Sequence, residues 1–227
     1  LCSAPPTMLG CSVAKPIPTL LRTNAHPERV DDIADLMTEA FMESPNWIFV
    51  QPDEARRARM LRHINRLRLG LLGDRSEFWL GGDGAVEGHV VCACGNDMNP
   101  SFLTLVRLGF FTFPVRFGFP AFNRMLGILS ALSAQSDAMA STGEDWTLEA
   151  FAIRASARGK GIGTRMLRHL LQQRVQPVGG RIWLMCQEEP ARRLYARLGF
   201  ADLESPPFSV HGTVLPNWTM ERRFAAG

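Results

Sequence analysis

A chain of 227 residues, 46% hydrophobic and with a net charge of +3, is long enough for a substantial core and suits one large domain or one domain with an insertion. The charge excess is too small to imply a polyanionic partner. Nearly all basic residues are arginine, Lys15 and Lys160 being the only lysines, a skew that carries no functional weight. The cysteines (Cys2, Cys11, Cys92, Cys94 and Cys186) are odd in number and lack framework spacing, which argues against a disulfide scaffold. Cys92-x-Cys94 has no second pair or nearby histidine, so no metal is expected. The first fourteen residues lack the charged start and apolar run of a signal peptide. The most apolar stretch, Phe102 to Ala134, is broken by Arg107, Arg116 and Arg124, whereas a membrane span takes about 20 mostly apolar residues. The expectation is a cytoplasmic protein, monomer or homodimer, with no nucleic-acid or membrane partner.

In chain order, residues 1–14 read as a flexible tail, and Ile17 to Leu21 as a first strand. A helix follows from about Pro27, with Val30, Ile33, Ala34, Met37 and Phe41 on one face, and Ser44-Pro45 ends it. Asp53 reads as the N-cap of an Arg-rich helix, in which Arg56, Arg57, Arg59, Arg62, Arg66 and Arg68 form a solvated face opposite Leu61, Ile64, Leu67 and Leu71. Ser76 to Leu80 and Glu87 to Gly95 read as strands joined by the turn Gly81 to Gly84. Residues 101–140, rich in Phe and Leu and punctuated by Pro114 and Pro120, read as an insertion of two or three short helices. Then come a strand (Trp146 to Ile153), a helix (Gly161 to Arg174), a strand (Arg181 to Met185), a helix (Pro190 to Leu198, with Pro190 in its first turn and Gly199 at its stop) and a last strand (Trp218 to Arg222). Alternating helices and strands predict a mixed α/β domain.

The segment Arg158-Gly159-Lys160-Gly161-Ile162-Gly163-Thr164 lies between a strand and an amphipathic helix. Glycines at alternate positions let the backbone turn sharply and leave its N–H groups uncovered. The helix that follows adds unpaired N–H groups and the positive end of its dipole. Together they make an anion site suited to a pyrophosphate, with Arg158 and Lys160 at its rim. No Walker string Gly-x-x-x-x-Gly-Lys-Ser/Thr is present. A dinucleotide fingerprint fails as well, because its third glycine falls at Thr164 or Met166. A nucleotide-dependent oxidoreductase is therefore a distant alternative.

The spacing Arg-x-x-Gly-x-Gly at Arg158, Gly161 and Gly163 resembles the phosphate loop of the GNAT superfamily of acetyl-CoA-dependent N-acetyltransferases. The strand Trp146 to Ile153 resembles that superfamily's strand before the loop, and Ala191-Arg192-Arg193-Leu194-Tyr195-Ala196-Arg197-Leu198-Gly199-Phe200 its A-x-x-L-Y-x-x-L-G-F element. Within the superfamily the likeness is to the branch of puromycin N-acetyltransferase. That branch often has Asp-Pro where Arg154-Ala155 stand here, and the family's cofactor-contacting Asn falls at Glu188. A carboxylate disfavours an anionic cofactor, so Glu188 is expected to turn away.

The resemblance implies an α/β (α+β) GNAT fold over residues 15–227. Its central sheet would be mixed and mostly antiparallel, splayed between the fourth and fifth strands, with helices on both faces. It implies acetyl-CoA as acyl donor and direct attack by an amine in a ternary complex. The cofactor would be held by Phe151, Ala152, Ile153, Arg158, Gly159, Lys160, Gly161, Ile162, Gly163 and Thr164, and an N–H at Phe151 or Ala152 would polarise the thioester carbonyl. Tyr195, the sole tyrosine, matches the family's general acid, although it also lies on the stripe of Ala191, Leu194 and Leu198. Full proton transfer from a phenol of pKa about 10 to a thiolate near 8.5 is uphill by about 2 kcal/mol, so hydrogen-bond stabilisation of the thiolate is expected. Glu149, on the strand beside the thioester, is the candidate base, provided burial raises its pKa or a water relays the proton. An outward-facing strand glutamate is the alternative, and His26, His63, His89, His169 and His211 remain further candidates.

The acceptor side is expected to involve the insertion, through Phe110, Phe113 and Phe117. This segment reads either as a helical layer burying its own apolar face or as a lid over a bulky small molecule. It contains no carboxylate before Asp137, which favours a small-molecule amine over a peptide. The rivals are a protein N-terminus or lysine acetyltransferase and a non-catalytic acyl-CoA-binding sensor.

Overall fold

The computed structural model describes residues 20–72, 75–94, 112–139, 145–205 and 207–225. The tail 1–14, most of the expected first strand, residues 101–111 of the insertion and Phe110 with them lie outside the described residues. In chain order the elements are β1 (Leu21–Arg22), α1 (Val30–Phe41), α2 (Pro45–Val50), α3 (Glu54–Leu72), β2 (Ser76–Leu80) and β3 (Val86–Cys94). Next come α4 (Phe113–Phe117), α5 (Phe119–Met139), β4 (Trp146–Ile153), α6 (Ile162–Leu170), β5 (Gly180–Cys186) and α7 (Glu189–Arg197). The chain ends with β6 (Ala201–Leu203), β7 (Phe208–Val210), β8 (Thr213–Leu215) and β9 (Trp218–Phe224). Seven strands form one sheet in the order β1-β2-β3-β4-β5-β9-β6. All its pairings are antiparallel except β4 with β5.

Strand alternation sends side chains to two covered faces. On one, Phe78, Val91, Ala150 and Ala152 pack with Ile33, Leu36 and Met37 of α1 and Leu69 and Leu72 of α3. On the other, Val90, Cys92, Leu148, Ile182, Leu184 and Met220 pack with Ile162, Met166 and Leu170 of α6 and Tyr195 of α7. A third cluster joins the insertion to the rest: Phe113, Ala121, Met125 and Ile128 meet Val50, Met60 and the hairpin residues Phe208, Val210 and Leu215. Cys92 fills the second face, where burial pushes its thiol up to about 12, while Cys94 is exposed at the strand end. No group of three or more potential metal ligands occurs among the described residues.

Several elements depart from the sequence reading. Ser44-Pro45 ends α1 but also starts α2, with Pro45 in the first turn where its missing N–H costs nothing. Pro120 sits likewise in the first turn of α5, so that the described insertion holds one short helix and one of 21 residues where two or three short ones were expected. After Leu170 the α6 helix widens into a π turn over Leu171–Val175. The strand β6 and the β7–β8 hairpin carry no strong alternation and escape the reading. His211, placed there in a loop, is at the hairpin turn with φ +48°.

The largest correction concerns α3. Asp53 does cap it, its carboxylate accepting from the Arg56 N–H at 2.7 Å. The buried stripe, however, is Arg57, Met60, Leu61, Asn65, Leu69 and Leu72, because α1 and the insertion wedge the helix from two sides. Arg57, expected in solvent, is 5% exposed. Its guanidinium donates to the carbonyls of Met42 (2.8 Å), Gln51 (3.0 Å) and Pro52 (2.9 Å). These carbonyls end α1 and α2, so one side chain fixes the corner where three helices meet. Arg57→Met should cost about 3 kcal/mol, the scale for losing charge-assisted bonds to buried carbonyls. Urea denaturation measures it, and a loss under about 1 kcal/mol would mean that water replaces the guanidinium at little cost.

Candidate active site

The parallel pair β4–β5 is short. Trp146, Thr147 and Leu148 pair with Ile182, Trp183 and Leu184, and there the pairing stops, although β4 continues to Ile153 and β5 to Cys186. On its other edge β4 stays paired with β3 up to Ile153. The parting point coincides with a bulge: Val91 pairs with Ala150 but Cys92 with Leu148, so Glu149 is the extra residue on β4. A bulge increases local twist and re-aims side chains. Here it leaves the β4 backbone from Glu149 to Ile153 turned towards an opening wedge.

At the wide end of the wedge is the glycine loop. After β4 the chain makes a 3-10 turn (Ala155–Ala157) and then enters α6 through Gly159 (φ +76°) and Gly161 (φ +74°). A side chain at either glycine would meet nothing within 4 Å, so what demands glycine is the left-handed backbone, and the space over these amides is open. Gly163 is different. A Cβ there would lie 3.3 Å from both Ile153 Cγ1 and Phe151 Cζ, so this glycine lets α6 lie close on β4. Ile162 is buried and Thr164 half-buried, while Arg158, Gly159, Lys160 and Gly161 are exposed at the rim. Arg158 folds back to donate to the Ile153 carbonyl at 3.1 Å. The open cradle, the exposed cationic rim and the unpaired β4 edge fit an acyl-CoA, with its pyrophosphate at the start of α6 and its arm along β4.

Arg154-Ala155, where the likened branch has Asp-Pro, does structural work. Arg154 donates to the Val86 carbonyl at 2.8 Å, and the Ala155 N–H donates to Glu39 of α1 at 2.7 Å. The end of β4 is thus tied to β3 and α1 just before the loop.

Across the wedge from β4 lies Tyr195. Its ring centroid is 6.5 Å from that of Phe151 and 5.8 Å from that of Phe200, both edge-on. The side chain is 6% exposed. Burial pushes the phenol above its ordinary value, with smaller pushes from Cys186 and Glu188. Tyr195 therefore stays protonated through neutral pH.

Glu149 is half-buried, and its Oε1 is buried without a hydrogen-bond partner. Burial raises its pKa, against the pull of Arg68 and Arg75. Of the histidines, His89 is fully buried beside Ser76, its Nε2 2.8 Å from Oγ, and burial lowers it to about 3. His89 is a neutral structural group. Glu188 stands at the position matched to the family's cofactor-contacting Asn. It is half-buried at the head of α7 within electrostatic reach of Arg158 and Glu43, and burial raises its pKa.

Comparison with known proteins settles the family. The chain matches the model of the acetyltransferase (GNAT) family over residues 38–200. It belongs to that family. The GNAT fold recurs in a histone acetyltransferase HPA2 and related acetyltransferase from Corynebacterium glutamicum (TM-score 0.62, 22% identity, covering 92% of this chain and 98% of that one). It recurs in the polyamine N-acetyltransferase of Drosophila melanogaster (0.58, 14%, 91% and 100%). It is also found in a phosphinothricin acetyltransferase from Sinorhizobium meliloti in complex with acetyl-CoA (0.50, 15%, 92% and 89%). No curated protein sequence is similar enough to count as a relative. The chain is an acetyltransferase of a family whose enzymes use acetyl-CoA.

In this GNAT enzyme the insertion buries much of its own apolar surface. Phe113 is 2% exposed in the third cluster, and Phe117 packs on it at 4.8 Å and on His63 at 5.5 Å. Sequence reasoning missed a ladder of amides that ties the insertion to the wedge: Gln187, just after β5, donates to Asn217 at 2.7 Å, and Asn217 donates to Gln135 of α5 at 2.7 Å. Isolated amides carry no motif, so no signal pointed to them. A hollow of about 360 Å³ lined by Arg168, Arg197 and Arg222 lies at the far end of α6, away from this chemistry. Among the described residues no helix is long and apolar enough to cross a membrane.

Proposed function

We propose that the enzyme transfers an acetyl group from acetyl-CoA to a primary amine of a small, partly hydrophobic molecule, by direct attack within a ternary complex. The observation that carries this reading is the parting of β4 and β5 at Glu149, with Tyr195 facing Phe151 across the gap. Acetyl-CoA supplies an acyl group already activated as a thioester. Glu149, its pKa raised, accepts a proton from the incoming ammonium. Tyr195 donates a hydrogen bond to the sulfur side, and an N–H of the β4 edge at Phe151 or Ala152 donates to the carbonyl side. Structural neighbours named for agmatine, polyamine and arylalkylamine acetylation support a small amine as acceptor, as does the lack of carboxylates in residues 101–136.

The cofactor step has its own check. In Gly161→Ala an L-residue at φ +74° costs about 1–2 kcal/mol; the loop relieves that strain by leaving the turn that presents its amides, so acetyl-CoA affinity in calorimetry should fall about tenfold. Unchanged affinity would place the pyrophosphate elsewhere. A second reading, a non-catalytic acyl-CoA sensor, is favoured by Glu188 alone, whose carboxylate sits near the cationic rim. Mass spectrometry of acetyl-CoA incubations with puromycin-like compounds, aminoglycosides, polyamines, amino acids and short peptides separates the two. Acetyl gain on a small amine supports the enzyme, whereas cofactor binding with no gain on any class supports the sensor.

A further inference from the structure

The hollow at the far end of α6 takes no part in the chemistry above, yet its lining carries one sign of charge. It encloses about 360 Å³ between Arg168, Arg197 and Arg222, with Gln172 and Gln176 beside them and no carboxylate in its wall. That volume is at the lower end of the range for small-ligand pockets, about 300–1,000 Å³. The three guanidinium groups come from three elements: Arg168 from the last turn of α6, Arg197 from the last turn of α7 and Arg222 from β9. Like charges converging on one concave space repel one another and raise the local concentration of anions.

The ordinary use of arginine at a helix end is to satisfy unpaired carbonyls. Here those carbonyls are taken. At the end of α7 the Tyr195 carbonyl accepts from the N–H groups of Leu198 (2.9 Å) and Phe200 (3.1 Å), and the Ala196 carbonyl from that of Gly199 at 3.0 Å. The Leu198 carbonyl accepts from Arg222. At Arg168 the α6 helix has no free end, because the chain runs on into the π turn Leu171–Val175. Among the described residues Arg168 and Arg197, both exposed, have no hydrogen bond or ion pair. The neighbouring carboxylates are engaged elsewhere: Glu221 pairs with Arg181 and Arg223, and Asp202 pairs with Arg192. Arg222 is fixed by its bond to Leu198 and by lying 4.4 Å from the centre of the Phe224 ring. One cation is thus pre-positioned, and two stand ready to close on a ligand.

We propose that this hollow binds a small molecule bearing a phosphate or diphosphate group, its oxygens bridged by Arg168, Arg197 and Arg222 and its other polar atoms met by Gln172 and Gln176. Planar guanidinium groups suit bidentate recognition of phosphate oxygens, and each glutamine amide offers both donors and an acceptor. The site lies at the opposite end of α6 from the glycine loop. Its occupant joins α6, which opens at that loop, to α7, which carries Tyr195.

The test is calorimetric titration of the full chain with pyrophosphate, at an ionic strength held constant with sodium chloride and with saturating acetyl-CoA present to occupy the glycine loop. The wild type should bind about one equivalent and melt higher in its presence. In the double substitution Arg168→Gln with Arg197→Gln the affinity should fall at least about tenfold, as expected for loss of two charge-assisted contacts, and the rise in melting temperature should vanish. Arg56→Gln with Arg59→Gln removes the same charge from exposed positions of α3, across the sheet from α6 and α7, and should bind as the wild type does. All four side chains are exposed, so both variants should melt without pyrophosphate no lower than the wild type. Equal weakening in the two variants would mean attraction by net charge and no site. Unchanged affinity in the Arg168 and Arg197 variant, or no binding to the wild type up to about 5 mM, likewise overturns the inference. The paired substitutions isolate the hollow whether or not acetyl-CoA fills the loop, so failure here leaves the acetyltransferase reading intact.

Discussion

Tyr195→Phe is expected to lower kcat about a hundredfold, within the usual range for loss of a positioned proton donor, while acetyl-CoA binds as tightly as before. The ring does the packing, edge-on to Phe151 and Phe200, and phenylalanine keeps that shape. What is lost is a single hydroxyl. Burial raises the phenol's pKa, which makes outright transfer to a thiolate near 8.5 still more uphill than for a free tyrosine. In the proposed mechanism the hydroxyl holds the developing charge with a hydrogen bond, an interaction present only as the bond to sulfur breaks. For that reason the loss falls on kcat rather than on affinity. Steady-state kinetics beside calorimetric titration with acetyl-CoA resolves the two. A kcat within about twofold of wild type would return Tyr195 to a packing role.

Glu149→Gln carries the other large effect. If Glu149 takes the proton of the ammonium, the isosteric amide should lower kcat/KM by about 10² to 10³ at neutral pH. The wild type should also lose activity as pH falls through the pKa of this carboxylate. That limb lies above the ordinary value of 4.5 because burial outweighs the attraction of Arg68 and Arg75. The amide removes the limb. The stability sign is opposite. A carboxylate whose pKa is raised by folding binds more protons in the native state, so stability falls as pH rises from the ordinary value through the native one. Ionising Glu149 is thus at the expense of the fold, and Glu149→Gln should melt no lower than wild type while being far less active. Parallel pH–rate profiles and melting curves test both halves. An acid limb that persists in the variant would assign the base to another group.

How much of this was legible beforehand follows the range of the forces involved. The glycine loop, the β4 strand, the cap at Asp53 and the Tyr195 element were readable because each is encoded by residues adjacent in sequence. Left-handed turns need glycine, a strand alternates, and a cap lies three residues from the N–H it accepts. The inward face of α3 was misread because periodicity gives a stripe but not its orientation among neighbours. With α1 on one side and the insertion on the other, Arg57 turns inward and Ile64 turns to the third cluster. The Gln187–Asn217–Gln135 ladder joins residues 82 and 30 positions apart and has no local signature at all.

By itself the sequence determined the family-level features of this protein: a glycine loop that opens a helix, the strand before it and a tyrosine after the next strand, each specified by short-range backbone and side-chain preferences. Only the tertiary structure decided where β4 and β5 part and that the bulge falls on Glu149. Both depend on the registers between strands that are far apart in the chain. Such long-range packing sums many small contacts, and no single stretch of residues carries it.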